Sequence, residues 1–410
     1  MKMSSVAILT SLLVLTSFAA AQIRPVSGKV VTPDSSIERP ADVGKRAHTN
    51  IKVFLPTKPL QNAQPFGPPF AGYAYETPAS IACLYHLAAA VAGCNPNTVT
   101  KNPTGGSKMI AIVDAFDAPL AASDLAAFST QFGLPAPNLQ IVFASGTRPP
   151  YDPNWELEES LDVQWAHAMA PNAKILLVEA ASNSFTDLLA AEDLARNMVN
   201  AAGGGEVSNS WGGSEFVREN NYDSHFVKAN VVFFASSGDG PGTSWPGASP
   251  NVVSAGGTTV RRNPSTLKFI SEVPWDSAGG GLSSLEGRPS YQSGISAIVG
   301  SFRGMPDLSF DSNPITGVWV YDSDLGGAFP WFIVGGTSVA SPSLAGIINS
   351  TGGFAASTNA ELTTVYGNLG VVADFKDITS SYCGPYAGYT AVKGWDLCTG
   401  VGVVKGKLGK

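Results

Sequence analysis

Charged residues are scarce in this chain: they make up 14% of its 410 residues, and the net charge is −7. A nucleic-acid-binding protein needs a basic surface, so this composition argues against a nucleic-acid partner. Beyond the N-terminal residues, no apolar run is long enough for a transmembrane helix, and we expect no membrane partner. The low carboxylate content suits an acidic medium, because few groups would change charge on protonation.

Cysteine is also rare, with four residues in the chain. No pair has the CxxC spacing of a zinc site, and the one nearby histidine, His86, completes no ligand set. The simplest pairing is two local disulfides, with two pairs of buried thiols as the alternative. The paired residues would be Cys83 with Cys94 and Cys383 with Cys398.

The N-terminus has the features of a secretory signal peptide: a positively charged start, an apolar run over residues 6–20, and three alanines before Gln22. We therefore expect residues 1–21 to be removed and the mature protein to be soluble and secreted, either extracellular or periplasmic. Residues 22–72 are polar and proline-rich. They predict an extended leader or short prosegment, with one strand at Ile51–Leu55.

From Tyr73 onwards, short apolar runs alternate with helical patterns. Continuous apolar runs between helices are typical of a parallel sheet covered on both faces. Residues 73–410 therefore predict one three-layer α/β domain with a mainly parallel central sheet. The predicted helices are Ile81–Val91, Ala121–Phe132, Glu156–Met169 and Phe185–Ala202, and the predicted strands are Met109–Val113, Leu139–Phe143, Lys174–Val178, Glu206–Ser210, Val231–Ala235 and Val252–Ala255.

The most informative motif is GGTSVASP at residues 335–342, which an apolar run follows. The glycine pair allows close approach of backbones, and Ser338 lies where a helix would begin. Unpaired N–H groups and the positive dipole at a helix N-terminus suit an attacking oxygen and a nearby oxyanion. Ser338 is therefore a candidate nucleophile, and the alternative is a serine that caps a buried helix.

A serine nucleophile needs a base within hydrogen-bond reach. In the predicted helix Glu156–Met169, Glu158 and Asp162 would be about 40° apart in projection, with Cβ atoms roughly 6 Å apart. Two adjacent carboxyl groups beside a buried stripe raise one another's proton affinity, so one could be a base and the other its orienting group. The alternative is two exposed acids. His167 would point elsewhere, as a packing or hydrogen-bonding residue.

In chain order, the ExxxD pair, WAHAMAPNAKI, SNSWGG, SSGDG and GGTSVASP resemble the sedolisin (serine-carboxyl peptidase) family. Its members share the subtilisin-like fold but use a Ser-Glu-Asp triad. The resemblance runs from about Tyr73 to Gly402 and implies that Ser338 is the nucleophile, Glu158 the general base and Asp162 the orienting residue. It also implies a secreted, acid-active endopeptidase, and we expect a monomer that acts on protein or peptide substrates.

Two further segments carry the resemblance. Asp239 stands where subtilisins have an oxyanion-hole asparagine, and a protonated carboxylic acid can donate the same hydrogen bond. Catalysis then needs Asp239 protonated while Glu158 accepts a proton, which requires acidic pH or strongly shifted pKa values. Ser210, Trp211 and Gly212 resemble a substrate-binding strand that an extended peptide can join. Trp211 would line a pocket or pack a loop.

A DIT…GWD pair near the C-terminus resembles the calcium site of sedolisins. The implied ligands of one structural Ca²⁺ are the side chains of Asp377 and Asp396 and the carbonyls of Ile378, Val392 and Gly394. Val392 stands where glycine is commoner, which a carbonyl ligand tolerates at negative φ. The alternative is an Asx turn in a surface loop.

Some features depart from the family pattern. Asp114 ends a strand without a partner histidine, and we expect it to cap a turn with Asp117. Residues 22–72 are too few for the large folded prodomain of sedolisins, so either there is no zymogen stage or the leader covers the cleft as a strand. Two other functions remain. One is a subtilisin-type neutral peptidase, but subtilisins supply their catalytic histidine from an H-G-T-H segment, which this chain lacks. The other is a non-catalytic peptide-binding relative.

Overall fold

A computed structural model describes residues 27–58, 60, 67–384 and 388–410. The predicted signal peptide, residues 1–21, lies outside them. In the part of the chain that is described, no helix is both long and apolar enough to cross a membrane.

The helices are α1 (Pro78–Leu84), α2 (Ala121–Phe132), α3 (Pro153–Met169), α4 (Phe185–Ala201), α5 (Ser296–Val299), α6 (Ser323–Gly326), α7 (Thr337–Thr351) and α8 (Thr358–Gly367). The strands are β1 (Gly28–Val31), β2 (His48–Thr49), β3 (Lys52–Pro56), β4 (Met109–Ala115), β5 (Asn138–Phe143), β6 (Lys174–Ala180), β7 (Gly205–Asn209), β8 (Trp211–Ser214), β9 (Val231–Ser236), β10 (Ser244–Trp245), β11 (Val253–Arg262), β12 (Phe269–Pro274), β13 (Gly281–Gly287), β14 (Phe302–Met305), β15 (Leu308–Asp311), β16 (Val318–Tyr321), β17 (Trp331–Gly335), β18 (Phe375–Lys376) and β19 (Val403–Val404).

The central sheet has the order β5-β6-β4-β7-β9-β11-β15-β19-β18, with β12 paired to β11. All neighbours from β5 to β19 run parallel, whereas β18 and β12 are antiparallel to their partners. Both faces of the sheet are covered. In β4, Ile110 and Ile112 pack in the cluster that contains Leu161 of α3, whereas Ala111 and Val113 pack in the cluster that contains α4 side chains. The predicted three-layer α/β fold is confirmed.

Helix α1 is shorter than predicted. Thr77 caps it, because its hydroxyl accepts a hydrogen bond from the Ser80 N–H at 3.1 Å. The prediction extended the helix to Val91, but it ends at Leu84. His86, two residues later, has φ of 58°, a left-handed conformation that cannot continue an α-helix. The predicted bounds of α2 are confirmed.

The N-terminal segment is built into the domain. Strand β3 confirms the strand predicted near residues 51–55, and it joins β1, β17 and β16 in an antiparallel sheet of order β1-β3-β17-β16. Strand β2 pairs separately with β8. The boundary at residue 73 therefore does not separate two packed units, and the role of residues 22–72 as a leader stays a prediction.

Both predicted disulfides are confirmed. Cys83 is bonded to Cys94, and Cys383 is bonded to Cys398. The first joins the end of α1 to the following loop, and the second encloses most of the residues implied as calcium ligands.

Candidate active site

Strand β17 delivers the chain to Ser338, the second residue of α7. Between them Gly336 has φ of 105°, and a Cβ atom on it would lie 2.1 Å from the Asn50 carbonyl oxygen. Only glycine fits this turn without displacing its neighbours. Ser338 is fully buried, its N–H donates to the Asn50 carbonyl at 3.0 Å, and its hydroxyl donates to the Ser210 carbonyl at 3.1 Å.

Helix α3, which packs against α7, carries Glu158 and Asp162 on the face towards Ser338. Asp152 caps this helix by accepting a hydrogen bond from the Asn154 N–H at 2.8 Å. Glu158 and Asp162 are both fully buried, which excludes the alternative of two exposed acids. Asp162 accepts a hydrogen bond from the Ser210 hydroxyl at 2.8 Å, so Ser210 connects it to the backbone around Ser338.

Burial raises the pKa of Glu158 well above its usual range, and the charge of Asp114 raises it further. The Ser338 hydroxyl is near enough to lower that pKa in part. Neither Glu158 oxygen makes a full hydrogen bond within the described part of the chain. Burial, Asp114 and Glu158 likewise raise the pKa of Asp162. Both carboxyl groups beside Ser338 are therefore favoured in their neutral, protonated forms.

Asp239 is half-buried and is held by the residue before the serine. Its Oδ1 accepts from the Thr337 N–H at 2.7 Å and from the Thr337 hydroxyl at 3.0 Å, while its Oδ2 has no partner among the described residues. Burial raises the pKa of Asp239 to about 7, although Lys52 and the Thr337 hydrogen bonds act to lower it. Below that pH the free oxygen can carry a proton and act as a donor.

Asp114 belongs to the carboxyl cluster, and the expectation that it caps a turn with Asp117 is wrong. It is fully buried at the carboxyl end of β4, and within the described residues neither of its oxygens has a hydrogen-bond partner. Burial and Glu179 raise its pKa, and its charge in turn raises that of Glu158, Glu159 and Asp162. Asp117 instead forms an ion pair with Arg148 at 2.7 Å.

Histidine plays no part in this cluster. All four histidines are described, and none hydrogen-bonds to Ser338. His167 is buried, its Nε2 lies 3.1 Å from the Pro135 carbonyl, and burial lowers its pKa to about 4. This confirms its interpretation as a packing and hydrogen-bonding residue. His225 contacts Asp193 at 3.0 Å.

In the predicted substrate-binding strand, the Trp211 side chain points into the core, and the substrate-binding role of the strand stays a prediction. The Trp211 indole is fully buried, and its N–H donates to the Val113 carbonyl at 2.9 Å. It packs in the hydrophobic core. Gly212 and Trp211 form main-chain pairs with β2, so this edge does bind an extended segment.

The two implied calcium loops lie together, but most of their carboxyl oxygens already accept hydrogen bonds. Asp377 Oδ2 accepts from the Gly394 N–H at 2.8 Å, and Asp396 accepts from the N–H groups of Val392, Cys398 and Thr399 at 2.9–3.0 Å. Asp377 Oδ1 is buried without a partner in the described ranges. Those ranges contain no group of three or more acidic, histidine or cysteine side chains that could hold a metal. A calcium ion here would need backbone carbonyls, such as that of Ile378.

Comparison with known proteins finds relatives of this chain in sequence and in structure. No family model matches the chain. Sedolisin of Pseudomonas sp. (strain 101) is 26% identical to it over 344 residues, covering 73% of the chain, and kumamolisin of Bacillus sp. (strain MN-32) is 28% identical over 320 residues, covering 68%. The solved structure of Pseudomonas sedolisin, a serine-carboxyl proteinase complexed with pseudo-iodotyrostatin, superposes with a TM-score of 0.66 at 26% identity. The chain is a sedolisin homologue.

The structural match covers 80% of this sedolisin homologue and 95% of the solved chain, which confirms the subtilisin-like fold. In sequence, however, the chain spans little more than half of its relatives: 57% of sedolisin and 55% of kumamolisin. Sequence reasoning missed Asn50 and Thr337 in this homologue. Thr337 directly precedes the serine in the GGTS motif, whereas no local signal marked Asn50.

Proposed function

We propose that this sedolisin homologue is a secreted, acid-active serine-carboxyl endopeptidase. The observation that carries the proposal is the buried Glu158, which has unpartnered oxygens beside the Ser338 hydroxyl at the start of α7. A fully buried carboxyl group without partners is costly to keep, so its presence next to a candidate nucleophile favours a catalytic role.

In the proposed reaction, the Ser338 oxygen attacks the substrate carbonyl carbon and its proton passes to Glu158. Asp162 orients Glu158, and the Ser210 hydroxyl orients Asp162. The developing oxyanion is stabilised by the Ser338 N–H and by protonated Asp239. Glu158 then gives the proton to the leaving amine, and water hydrolyses the acyl-enzyme.

The pH dependence follows from these roles. The pKa of Asp239 is raised to about 7, so its proton, and the hydrogen bond it donates, is present below that pH and lost as pH rises through it. At the acid end, activity falls when the Glu158–Asp162 pair becomes fully protonated and can accept no proton. We expect a bell-shaped profile that lies below neutrality.

The direct test is casein hydrolysis across pH 2–9 by the wild type and by Ser338→Ala. We expect Ser338→Ala to lose roughly a thousandfold or more in kcat, as for other serine nucleophiles. Ser343→Ala is the matched control, because Ser343 is buried in the same helix and its hydroxyl has no partner among the described residues. Full acid activity in Ser338→Ala would refute the proposal.

The same assay separates the two other functions. A maximum at neutral or alkaline pH would favour a subtilisin-type peptidase, and absence of any Ser338-dependent hydrolysis would favour a non-catalytic peptide-binding relative. None of the four histidines hydrogen-bonds to Ser338, which counts against the first of these.

We also propose one structural Ca²⁺, held by Asp377 Oδ1, Asp396 and the carbonyls of Ile378, Val392 and Gly394. At Ca²⁺ a hundredfold above its Kd, binding should raise the melting temperature by roughly 5 °C or more relative to EDTA. Asp377→Ala should abolish this difference, whereas a change at the exposed Asp276 should leave it intact. A melting temperature unaffected by EDTA in the wild type would exclude the site.

A further inference from the structure

The segment just before Asn50 lies in the candidate active site as an extended peptide. His48 and Thr49 pair antiparallel with Gly212 and Trp211 of β8. On the other side of the segment, the Ala47 N–H donates to the Asn183 carbonyl, and the Asn183 side-chain amide donates to the Ala47 carbonyl, both at 2.8 Å. The segment is therefore held between two parts of the domain, as a bound peptide strand would be.

Asn50 places its own carbonyl group at the proposed nucleophile. Its N–H donates to the Ser210 carbonyl at 3.2 Å, and its carbonyl oxygen accepts from the Ser338 N–H at 3.0 Å. An N–H of this kind is what stabilises the oxygen of a carbonyl group under attack. The Asn50 carbonyl thus occupies the position of the carbonyl group that would be cleaved.

The Asn50 side chain enters a buried polar pocket. Its amide nitrogen donates to the Ser236 hydroxyl at 2.6 Å, and a Cβ atom on Gly212 would lie 3.6 Å from that nitrogen. Both Asn50 and Ser236 are fully buried. The Ser236 hydroxyl therefore provides an acceptor for an asparagine nitrogen on the acyl side of the bond, whereas Asn50 Oδ1 has no partner among the described residues.

The chain after Asn50 is held as firmly as the chain before it. Ile51 is fully buried, and its N–H and carbonyl both lie near the Ser36 hydroxyl. Strand β3 then pairs with β17, with Lys52 opposite Gly335 and Val53 opposite Val334. The peptide bond between Asn50 and Ile51 is therefore presented to Ser338 with both of its flanks fixed.

We infer that the Asn50–Ile51 bond is a self-cleavage site of this chain, with Asn50 as the acyl-side residue. The inference rests on the proposed peptidase function. The Ser338 oxygen bonds to the Asn50 carbonyl carbon while its proton moves to Glu158. The bond to the Ile51 nitrogen then breaks, and that nitrogen takes the proton from Glu158. Water hydrolyses the resulting ester, which restores Ser338 and leaves a carboxyl group on Asn50.

The experiment follows the full chain over time in acid by intact mass and N-terminal sequencing. The wild type and the Ser343→Ala control should acquire a new N-terminus at Ile51, while Ser338→Ala should stay intact at that bond. Because each molecule would cleave its own Asn50–Ile51 bond, the first-order rate constant of cleavage should not change when the protein is diluted a hundredfold.

A second pair of variants tests the pocket. Asn50→Leu keeps the size of the side chain but leaves the Ser236 hydroxyl without its donor, so cleavage should slow by about tenfold, as for loss of one buried hydrogen bond. Val43→Ala is the matched control, because Val43 lies in the same N-terminal segment but is exposed and seven residues before Asn50. It should be cut at the same bond within about threefold of the wild-type rate.

The outcomes separate the two proposals. Ser338-dependent casein hydrolysis with an intact Asn50–Ile51 bond would overturn the self-cleavage site and leave the peptidase function standing. Cleavage of the same bond in Ser338→Ala would also overturn it, because another protease would be responsible. Absence of any Ser338-dependent hydrolysis would refute the peptidase function itself.

Discussion

Asp239 is the residue whose protonation state is most open to test. Its Oδ1 is fixed by Thr337, which leaves Oδ2 as the oxygen that can carry a proton. An asparagine in its place would keep the acceptor for Thr337 and would present an N–H₂ group that does not titrate. In the proposed mechanism, Asp239 therefore links the geometry of the site to the pH range of activity.

We expect Asp239→Asn to retain activity and to extend it above pH 7, since the donor no longer loses its proton there. Asp239→Ala should lose about 10²–10³ in kcat below pH 7, where the wild type has a protonated donor; this is the usual cost of one oxyanion donor. The measurement is kcat/KM on a casein-derived peptide from pH 3 to 9. An unchanged alkaline limb in Asp239→Asn would show that another group sets it.

The turn from β17 into α7 is closely packed against the other parts of the site. Gly336 lies between the Asn50 carbonyl and the Asp239 carboxyl, and a Cβ atom there would be 2.7 Å from Asp239 Oδ2. Because Ser338 follows two residues later, strain at this turn would move the N-terminus of α7. The backbone conformation of Gly336 therefore affects the positions of both Ser338 and Asp239.

Gly336→Ala should lower the free energy of unfolding by about 2 kcal/mol or more, through its positive φ and its clash with backbone. It should also reduce peptidase activity, because Ser338 and Asp239 are displaced together. Gly367→Ala, at the end of α8 in open space, is the matched control and should be neutral or slightly stabilising. Urea unfolding monitors both variants, and a Gly336→Ala protein as stable as the control would contradict this reading.

Sequence patterns were sufficient for the elements that carry the candidate site residues and insufficient for the contacts of Asn50. Apolar runs predicted β4, β6 and β9 because parallel strands are buried on both faces. The spacing of Glu158 and Asp162 predicted their shared helix face because it is a local property. Asn50 was missed because its role depends on contacts with Ser210 and Ser338, 160 and more residues away, which no local pattern records.

Many acidic side chains are buried in the interior of the protein. Burial raises the pKa of Glu192 and of Glu206 to about 8, and both side chains are buried. A carboxyl group whose pKa is higher in the folded than in the unfolded state stabilises the fold while it is protonated. That contribution is complete below the unfolded value and is lost as pH rises through the folded value.

The melting temperature should therefore fall between pH 4 and pH 8, by roughly 5 °C or more, because one pKa unit corresponds to about 1.4 kcal/mol. Glu192→Gln should reduce this fall, since neither Glu192 oxygen has a hydrogen-bond partner among the described residues and its titration would be removed. Differential scanning calorimetry at several pH values measures both. A melting temperature that is constant or higher at pH 8 would argue against protonated interior carboxyl groups.

Because β1 pairs with β3, we expect activity on external substrates to begin some time after the inferred cleavage of the Asn50–Ile51 bond. β1 precedes Asn50 and β3 follows it, yet four residue pairs join the two strands, and Ser214 on β8 donates to Glu38 from its backbone at 2.8 Å. Hydrolysis of the Asn50–Ile51 bond would leave these contacts in place, so the severed piece would remain as a non-covalent competitive inhibitor. Its residence time, and not the rate of bond cleavage, would then determine when external substrates first enter.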